Sequence, residues 1–370
     1  MSEPERLRFP TVPWARSEAF GSPWCLSQSG MPVPEASPFE GLGIDLSHPG
    51  AEALPALRAR LGELFAVDPA RVLVTVGASA AMHLCALRHF RPGARVAVEL
   101  PSNEPVRALA RLFGAEVAPC RLRPEDGWRI DPGRLRALLA GAGGPGHVFL
   151  TNPNNPTGAL LEAERVRAVA AEAERAGGVL VSCEVTMEYA PNAARAHAFA
   201  LAPNAISIGS LSKAYGLGAL RIGWLILGAG LAGEMPCYED LAGLTWVDPP
   251  TSSLVAGLRA LDEIPRLLQP LRRVERESRP HWERWLAAGE EVEACQAPPY
   301  GIVAFPRVRG VDDTAALARF LQAEHGVDVV PGEFFGLAGY LRVGCGVPEE
   351  TLVEGLRRLS EGIRAFRARS

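Results

Sequence analysis

The sequence predicts an α/β protein: a large domain with a mainly parallel sheet between helices, followed by a smaller α+β domain. Three observations lead there. Between about residues 72 and 227, short apolar runs alternate with Ala/Leu/Arg-rich helical patterns. Buried strands separated by helices form parallel sheets covered on both faces. After about Pro249 the alternation stops, and a charged helical stretch gives way to isolated strand-like runs. Finally, 370 residues at 48% hydrophobic content suffice for one large domain with a smaller one attached.

The elements follow in order. Residues 1–45 read as an N-terminal arm, rich in Pro, Gly and Ser, 46–250 as the large domain and 251–370 as the small one. Residues 72–76 form a strand that ends in Gly77-Ala78-Ser79, and 80–90 a helix. Residues 95–99 form a second strand, broken by Pro101, before a helix over 106–113. Further strands are expected at 147–151, 179–183, 205–209 and 221–227, with helices over 131–140 and 162–176 between them. In the small domain, 266–288 reads as a helical stretch, 302–305 and 340–344 as strands, 314–325 as a helix, and a last helix begins near Pro348.

Composition narrows the function. A formal charge of −4 gives no electrostatic case for nucleic acid or an anionic membrane surface. A polar, Pro-rich start reads as no secretory leader, and no apolar run approaches the roughly 20 residues of a spanning helix. Seven scattered cysteines without a C-x-x-C pair argue against a zinc ribbon or disulfide framework, which suits a cytoplasmic location. Of the 38 basic residues, Lys213 is the single lysine. A bias towards arginine leaves lysine where arginine cannot substitute, because an ε-amine condenses with an aldehyde and a guanidinium does not.

The neighbours of Lys213 strengthen the point. Ser210-Leu211-Ser212-Lys213 follows a strand and precedes Gly216, Gly218 and Arg221, so two hydroxyls and an arginine can converge on one phosphate. Asn152-Pro153-Asn154-Asn155-Pro156-Thr157-Gly158 sits at the carboxyl end of another strand, where ligands gather in open α/β sheets. Gly77-Ala78-Ser79 opens a helix, whose free amides attract phosphate. Each motif alone is a common turn; in this order they are not.

Together with Arg221-x-Gly223-Trp224, these motifs resemble the class I/II aminotransferases, which are fold-type-I enzymes dependent on pyridoxal phosphate (PLP). The resemblance runs from about Leu46 to the C-terminus. The wording around Lys213 and the arm's Ser29-Gly30 look most like the branch that includes capreomycidine-synthase-like cyclases. The resemblance implies that Lys213 carries the cofactor covalently and moves the substrate Cα proton. It implies phosphate contacts from Ala78, Ser79, Ser210, Ser212 and Arg221, and a hydrogen bond from Asn155 to the ring hydroxyl. Arg342, with Gly30 nearby, would bind the α-carboxylate of an amino acid substrate. His48 falls where a tyrosine crosses from the partner subunit of a homodimer to the phosphate.

The ring contacts depart from the family. Cys183 in Cys183-Glu184-Val185-Thr186 stands where an aspartate pairs with the pyridinium nitrogen, and burial disfavours a thiolate there. Glu184 should face the other way along the strand. Thr186 replaces a tyrosine and Asn103 the aromatic residue that stacks on the ring. An aminotransferase, a non-transaminating PLP enzyme (cyclase, lyase, racemase or oxidase) of specialised biosynthesis, and a non-catalytic scaffold all remain open. His83, Cys85 and His89 do not share a helix face, and Trp282 and Trp285 read as packing.

Overall fold

The computed structural model describes residues 13–14, 21–32, 39–43, 52–141 and 143–369. The strands are β1 (Trp24–Cys25), β2 (Val72–Val76), β3 (Arg95–Leu100), β4 (Glu116–Arg121), β5 (Gly146–Thr151) and β6 (Leu180–Cys183). They continue as β7 (Ala205–Ser210), β8 (Ile222–Leu227), β9 (Val303–Ala304), β10 (Val327–Asp328), β11 (Val330–Pro331) and β12 (Leu341–Gly344). Seven of them form one sheet in the order β2-β8-β7-β6-β5-β3-β4. All its pairs are parallel except those of β8, which runs antiparallel to both β2 and β7.

Strand alternation divides the sheet into two buried faces. The relevant helices are α1 (Ala53–Phe65), α2 (Gly77–His89), α3 (Glu104–Leu112), α4 (Pro132–Leu139), α5 (Ala163–Arg175), α6 (Met235–Thr245) and α7 (Thr251–Asp262). Val96, Val98 and Phe149 pack with Leu84 of α2, Val106 of α3 and Tyr238 of α6. Ala97, Val148 and Leu150 pack on the other face with Leu135 of α4 and Val169 of α5. Helix α7 lies beyond residue 250, yet its Leu254 and Leu261 join Leu57 of α1 and Ile222 of β8.

A second core surrounds the antiparallel sheet β11-β12-β9. It takes in Trp282, Leu286 and the long C-terminal helix α8 (Glu349–Arg369) through Leu352, Leu356 and Ile363. Three expectations change here. The helical stretch over 266–288 is three helices, Ile264–Leu267, Gln269–Glu277 and Arg279–Ala288, because Pro265, Pro270 and Pro280 each occupy the first turn of a new one. Strand β4 carries Pro119 and was not expected; it is tolerated because β4 is an edge strand. Part of the arm is built into the fold: β1 pairs in parallel with β10, and the Arg358 guanidinium lies 3.7 Å from the Trp24 ring centroid.

Beneath α2, His89 Nε2 meets Tyr238 Oη at 2.8 Å, and the His89 and His147 ring centroids are 5.4 Å apart. Desolvation, then His147, Arg88 and Arg91, pushes His89 down to about 3; desolvation and Arg88 push His147 down to about 4. Both folded values lie below the ordinary 6.5. The folded state therefore binds fewer protons than the unfolded chain, and this stability is present above about pH 6.5 and lost as pH falls through the folded values. Each histidine adds up to about 1.4 kcal/mol per pH unit to that loss. Urea unfolding at pH 6.5 and 4.5 is expected to show a steeper loss in the wild type than in a His89→Gln/His147→Gln variant; equal slopes would contradict the assignment.

Candidate active site

The site is assembled where β6, β7 and β5 end and α2 begins. After β7 the chain turns sharply: Ser212 N donates to Ser210 Oγ at 3.3 Å, which points Lys213 back across the sheet edge. Gly216 has φ +71°, and a Cβ there would lie 2.3 Å from Pro32 O, so only glycine lets the N-terminal strap pass. Arg221 itself adopts the left-handed φ of +53°. This swings its guanidinium against the start of α2, where a Cβ at Gly77 would sit 2.4 Å from Nη2. A Cβ at Gly223 would come within 2.5 Å of Ala78 N, so β8 presses close beneath the same amides.

The result is a cradle of Gly77, Ala78 and Ser79 at the N-terminus of a 13-residue helix, with Arg221 against it and Ser210 paired to the Gly223 that presses beneath it. Its chemistry suits a phosphate.

Lys213 is half-buried as a residue, and its amine lies under the strap, where Nζ donates to Ser29 Oγ at 3.0 Å. Desolvation first, then Arg342 and more weakly Arg221, pushes this amine down from the ordinary 10.5 to about 8, while Cys183 acts the other way. Neutral amine is thus available near physiological pH, which an imine-forming lysine needs.

Arg342, on β12, is buried at 8% exposure. Its Nη1 donates to Asn155 Oδ1 at 2.9 Å and its Nη2 to Ser27 O at 2.6 Å, while Nε has no partner. Burial pushes it down to about 10, so it stays positive. No carboxylate pairs with it among the described residues. A buried cation without a counter-charge is costly unless an anion arrives.

Asn155 is held from below. Glu99 Oε1 accepts from Thr151 N at 2.7 Å and from Thr151 Oγ1 at 2.6 Å. Thr151 Oγ1 in turn accepts from Asn155 N at 3.1 Å. Burial raises Glu99 to about 7 despite these donors. Gly158 has φ +73°, and a Cβ there would meet Pro298 at 2.4 Å, so the turn also docks on the second core.

Cys183 ends β6, 2% exposed, and desolvation pushes its thiol up to about 12. It is therefore neutral. Glu184 faces away, as its position in the strand demands: its Oε2 meets His197 Nδ1 at 2.8 Å, and its Oε1 accepts from Ser207 Oγ at 2.8 Å. Thr186 Oγ1 donates to Pro153 O at 3.4 Å. Asn103 stands at the start of α3 with its Oδ1 buried and unpartnered. Gly30 lies against Lys213, its position such that a Cβ would be 3.4 Å from Cδ. His48 lies outside the described residues. Sequence reasoning missed the roles of Ser27, Ser29 and Glu99; of these only Ser29 falls in a motif, the Ser29-Gly30 pair. A cleft of about 740 Å³ lined by Trp128, Thr157, Phe305 and Tyr340 opens beside the Asn155 turn, but Lys213 and Arg342 do not line it.

The profile of the aminotransferase class I and II family matches residues 46–359. The chain belongs to that family. Among relatives of this aminotransferase-family chain, capreomycidine synthase of Streptomyces vinaceus is 32% identical over 310 residues, covering 82% of this chain and 78% of the relative. Arginine–pyruvate transaminase of Pseudomonas aeruginosa is 28% identical over 317 residues, covering 82% and 79%. The solved PLP-dependent cyclase OrfR superimposes with a TM-score of 0.78 at 28% identity over 99% of both chains. A PLP-dependent aminotransferase from Streptococcus suis gives a TM-score of 0.84 at 23% identity, over 98% of this chain and 99% of that one, and bears on fold alone. The protein is thus an aminotransferase-like, fold-type-I enzyme whose cofactor is PLP. The cradle at the start of α2 and the deprotonatable amine of Lys213 fit that cofactor.

Proposed function

We propose that this enzyme acts on an α-amino acid, with Lys213 as the covalent anchor of PLP and the carrier of the substrate Cα proton. The observation that carries the proposal is the placement of the chain's only lysine, with its amine pushed down to about 8, between an anion cradle and an unneutralised Arg342. Bound PLP supplies an aldehyde that condenses with amines and a ring that withdraws electrons from the attached carbon.

The chain's residues divide the remaining tasks. Ala78, Ser79, Ser210, Ser212 and Arg221 would hold the phosphate, and Asn155, which accepts from Arg342, would donate to the ring hydroxyl. Arg342 receives the α-carboxylate in bidentate fashion, with Gly30 leaving room beside it. Asn103 would stand against the cofactor ring, and Cys183 would take the place of the group that meets the ring nitrogen. A homodimer, a cytoplasmic location and a role in biosynthesis complete the proposal. No helix among the described residues is long and apolar enough to cross a membrane.

Cys183 favours a particular outcome. A neutral thiol, pushed up to about 12, cannot stabilise a protonated ring nitrogen as a carboxylate does. Cyclisation, elimination, racemisation or oxidation is then favoured over amino transfer, in keeping with the likeness to capreomycidine synthase and the cyclase OrfR.

Two measurements test this. Purified protein incubated with PLP and desalted is expected to keep a visible absorbance band that borohydride abolishes and that Lys213→Arg lacks; colourless wild type and variant alike would overturn the proposal. Cys183→Asp is expected to raise amino transfer from a panel of amino acids to a 2-oxo acid by roughly tenfold or more, since one pKa unit of ring stabilisation is worth about 1.4 kcal/mol. Amino transfer that stays absent in the variant would sink the ring-nitrogen explanation.

A further inference from the structure

The Lys213 amine has one hydrogen-bond partner among the described residues, the Ser29 hydroxyl at 3.0 Å. That hydroxyl is fixed from both sides. Upstream, Leu26 N donates to Asp328 O at 2.9 Å and Gly344 N to Leu26 O at 2.7 Å, tying the strap to the second core. Arg342 Nη2 then holds Ser27 O at 2.6 Å, and Tyr189 Oη donates to Ser29 O at 3.2 Å. Downstream, Met31 N donates to Lys213 O at 2.8 Å, so the strap is bonded to both ends of the same lysine. Gly30 packs against the same lysine, where a Cβ would stand at ordinary contact distance, 3.4 Å from Lys213 Cδ and 3.6 Å from its Cα. A hydroxyl placed by so many neighbours costs little further ordering to use.

We infer that Ser29 is a catalytic residue whose hydroxyl oxygen holds the Lys213 amine while that amine is free of the cofactor and carries the substrate Cα proton. The inference rests on the functional proposal above. In the step concerned, the substrate Cα–H bond breaks, its electron pair stays on the substrate, and the proton forms the third N–H of the Lys213 ammonium. One N–H of the ammonium then points at Ser29 Oγ, and the reverse transfer returns the proton. No oxidant or reductant is required.

Hydrogen bonds to a charged donor are stronger than those to a neutral one, so Ser29 favours the ammonium. It opposes Arg342 and Arg221, the cations facing the same amine, and acts in the same sense as the neighbouring Cys183. The amine is thereby kept close to the strap, on the Arg342 side of the site, where an α-carboxylate would bring the Cα–H bond. A merely structural serine would brace the strap but leave the titration of Lys213 unmoved.

Because the chain has one lysine, acetylation of the cofactor-free protein, read on the Lys213 peptide, reports that amine alone. Ser29→Ala is expected to lower the pH midpoint of labelling by about one unit. In the PLP-loaded enzyme it is expected to slow exchange of substrate Cα hydrogen for deuterium roughly tenfold. Ser29→Thr, which keeps the hydroxyl, is expected to stay near wild type in both, separating the hydrogen bond from any loss of folding. An unchanged midpoint with wild-type exchange in Ser29→Ala overturns the role of Ser29 alone. A wild type that exchanges the Cα hydrogen of no amino acid overturns the functional proposal, and the role with it.

Discussion

A buried guanidinium with no counter-charge among the described residues governs this molecule. Arg342 is anchored by Asn155 and by the carbonyl of Ser27, neither of which neutralises it. Its charge has two consequences. It creates a place that an incoming carboxylate would stabilise, and it pushes the Lys213 amine towards the neutral form. Removing a buried charge's partner normally costs several kcal/mol, so an enzyme that leaves the partner to its substrate ties binding to chemistry.

The fold is arranged to hold that charge in place. Parallel strands bring Cys183, Asn155 and the Lys213 turn to one edge of the sheet, and antiparallel β8 returns Arg221 and Gly223 to the start of α2. The second core contributes Arg342 from β12 and meets the first through the Asn155 turn, where Gly158 packs on Pro298. The strap from Trp24 to Met31 then threads between the two cores, paired with β10 at one end and with Lys213 at the other. Glu99, Thr151 and the half-buried Asn155 form a hydrogen-bonded column under Arg342, so the position of the guanidinium is set from both cores.

Much of this was legible in the sequence, for local reasons. The strands from β5 to β8 are continuous buried runs, and the turns at their ends carry the Gly, Pro and Ser that such turns require. The lone lysine and the order of motifs around it located the cradle, and strand alternation foretold that Glu184 would turn away from Cys183. What was hidden is long-range. Strand β1 is two residues long and finds its partner about 300 positions later, and Ser29 meets Lys213 across 184 positions. Neither contact has a periodic signature, because the strap's order comes from what it packs against. Strand β4 was hidden for a different reason: Pro119 argues against a strand until its edge position is known.

The claim that Arg342 adds to burial in pushing the Lys213 amine down is open to direct measurement. With ¹³C-labelled lysine, the cofactor-free chain gives a single side-chain resonance whose shift follows protonation of one amine. A titration midpoint near 8 is expected in the wild type, moving upwards in Arg342→Gln as one of the two facing cations is removed. A wild-type midpoint at the ordinary 10.5, unmoved by the substitution, would contradict the account.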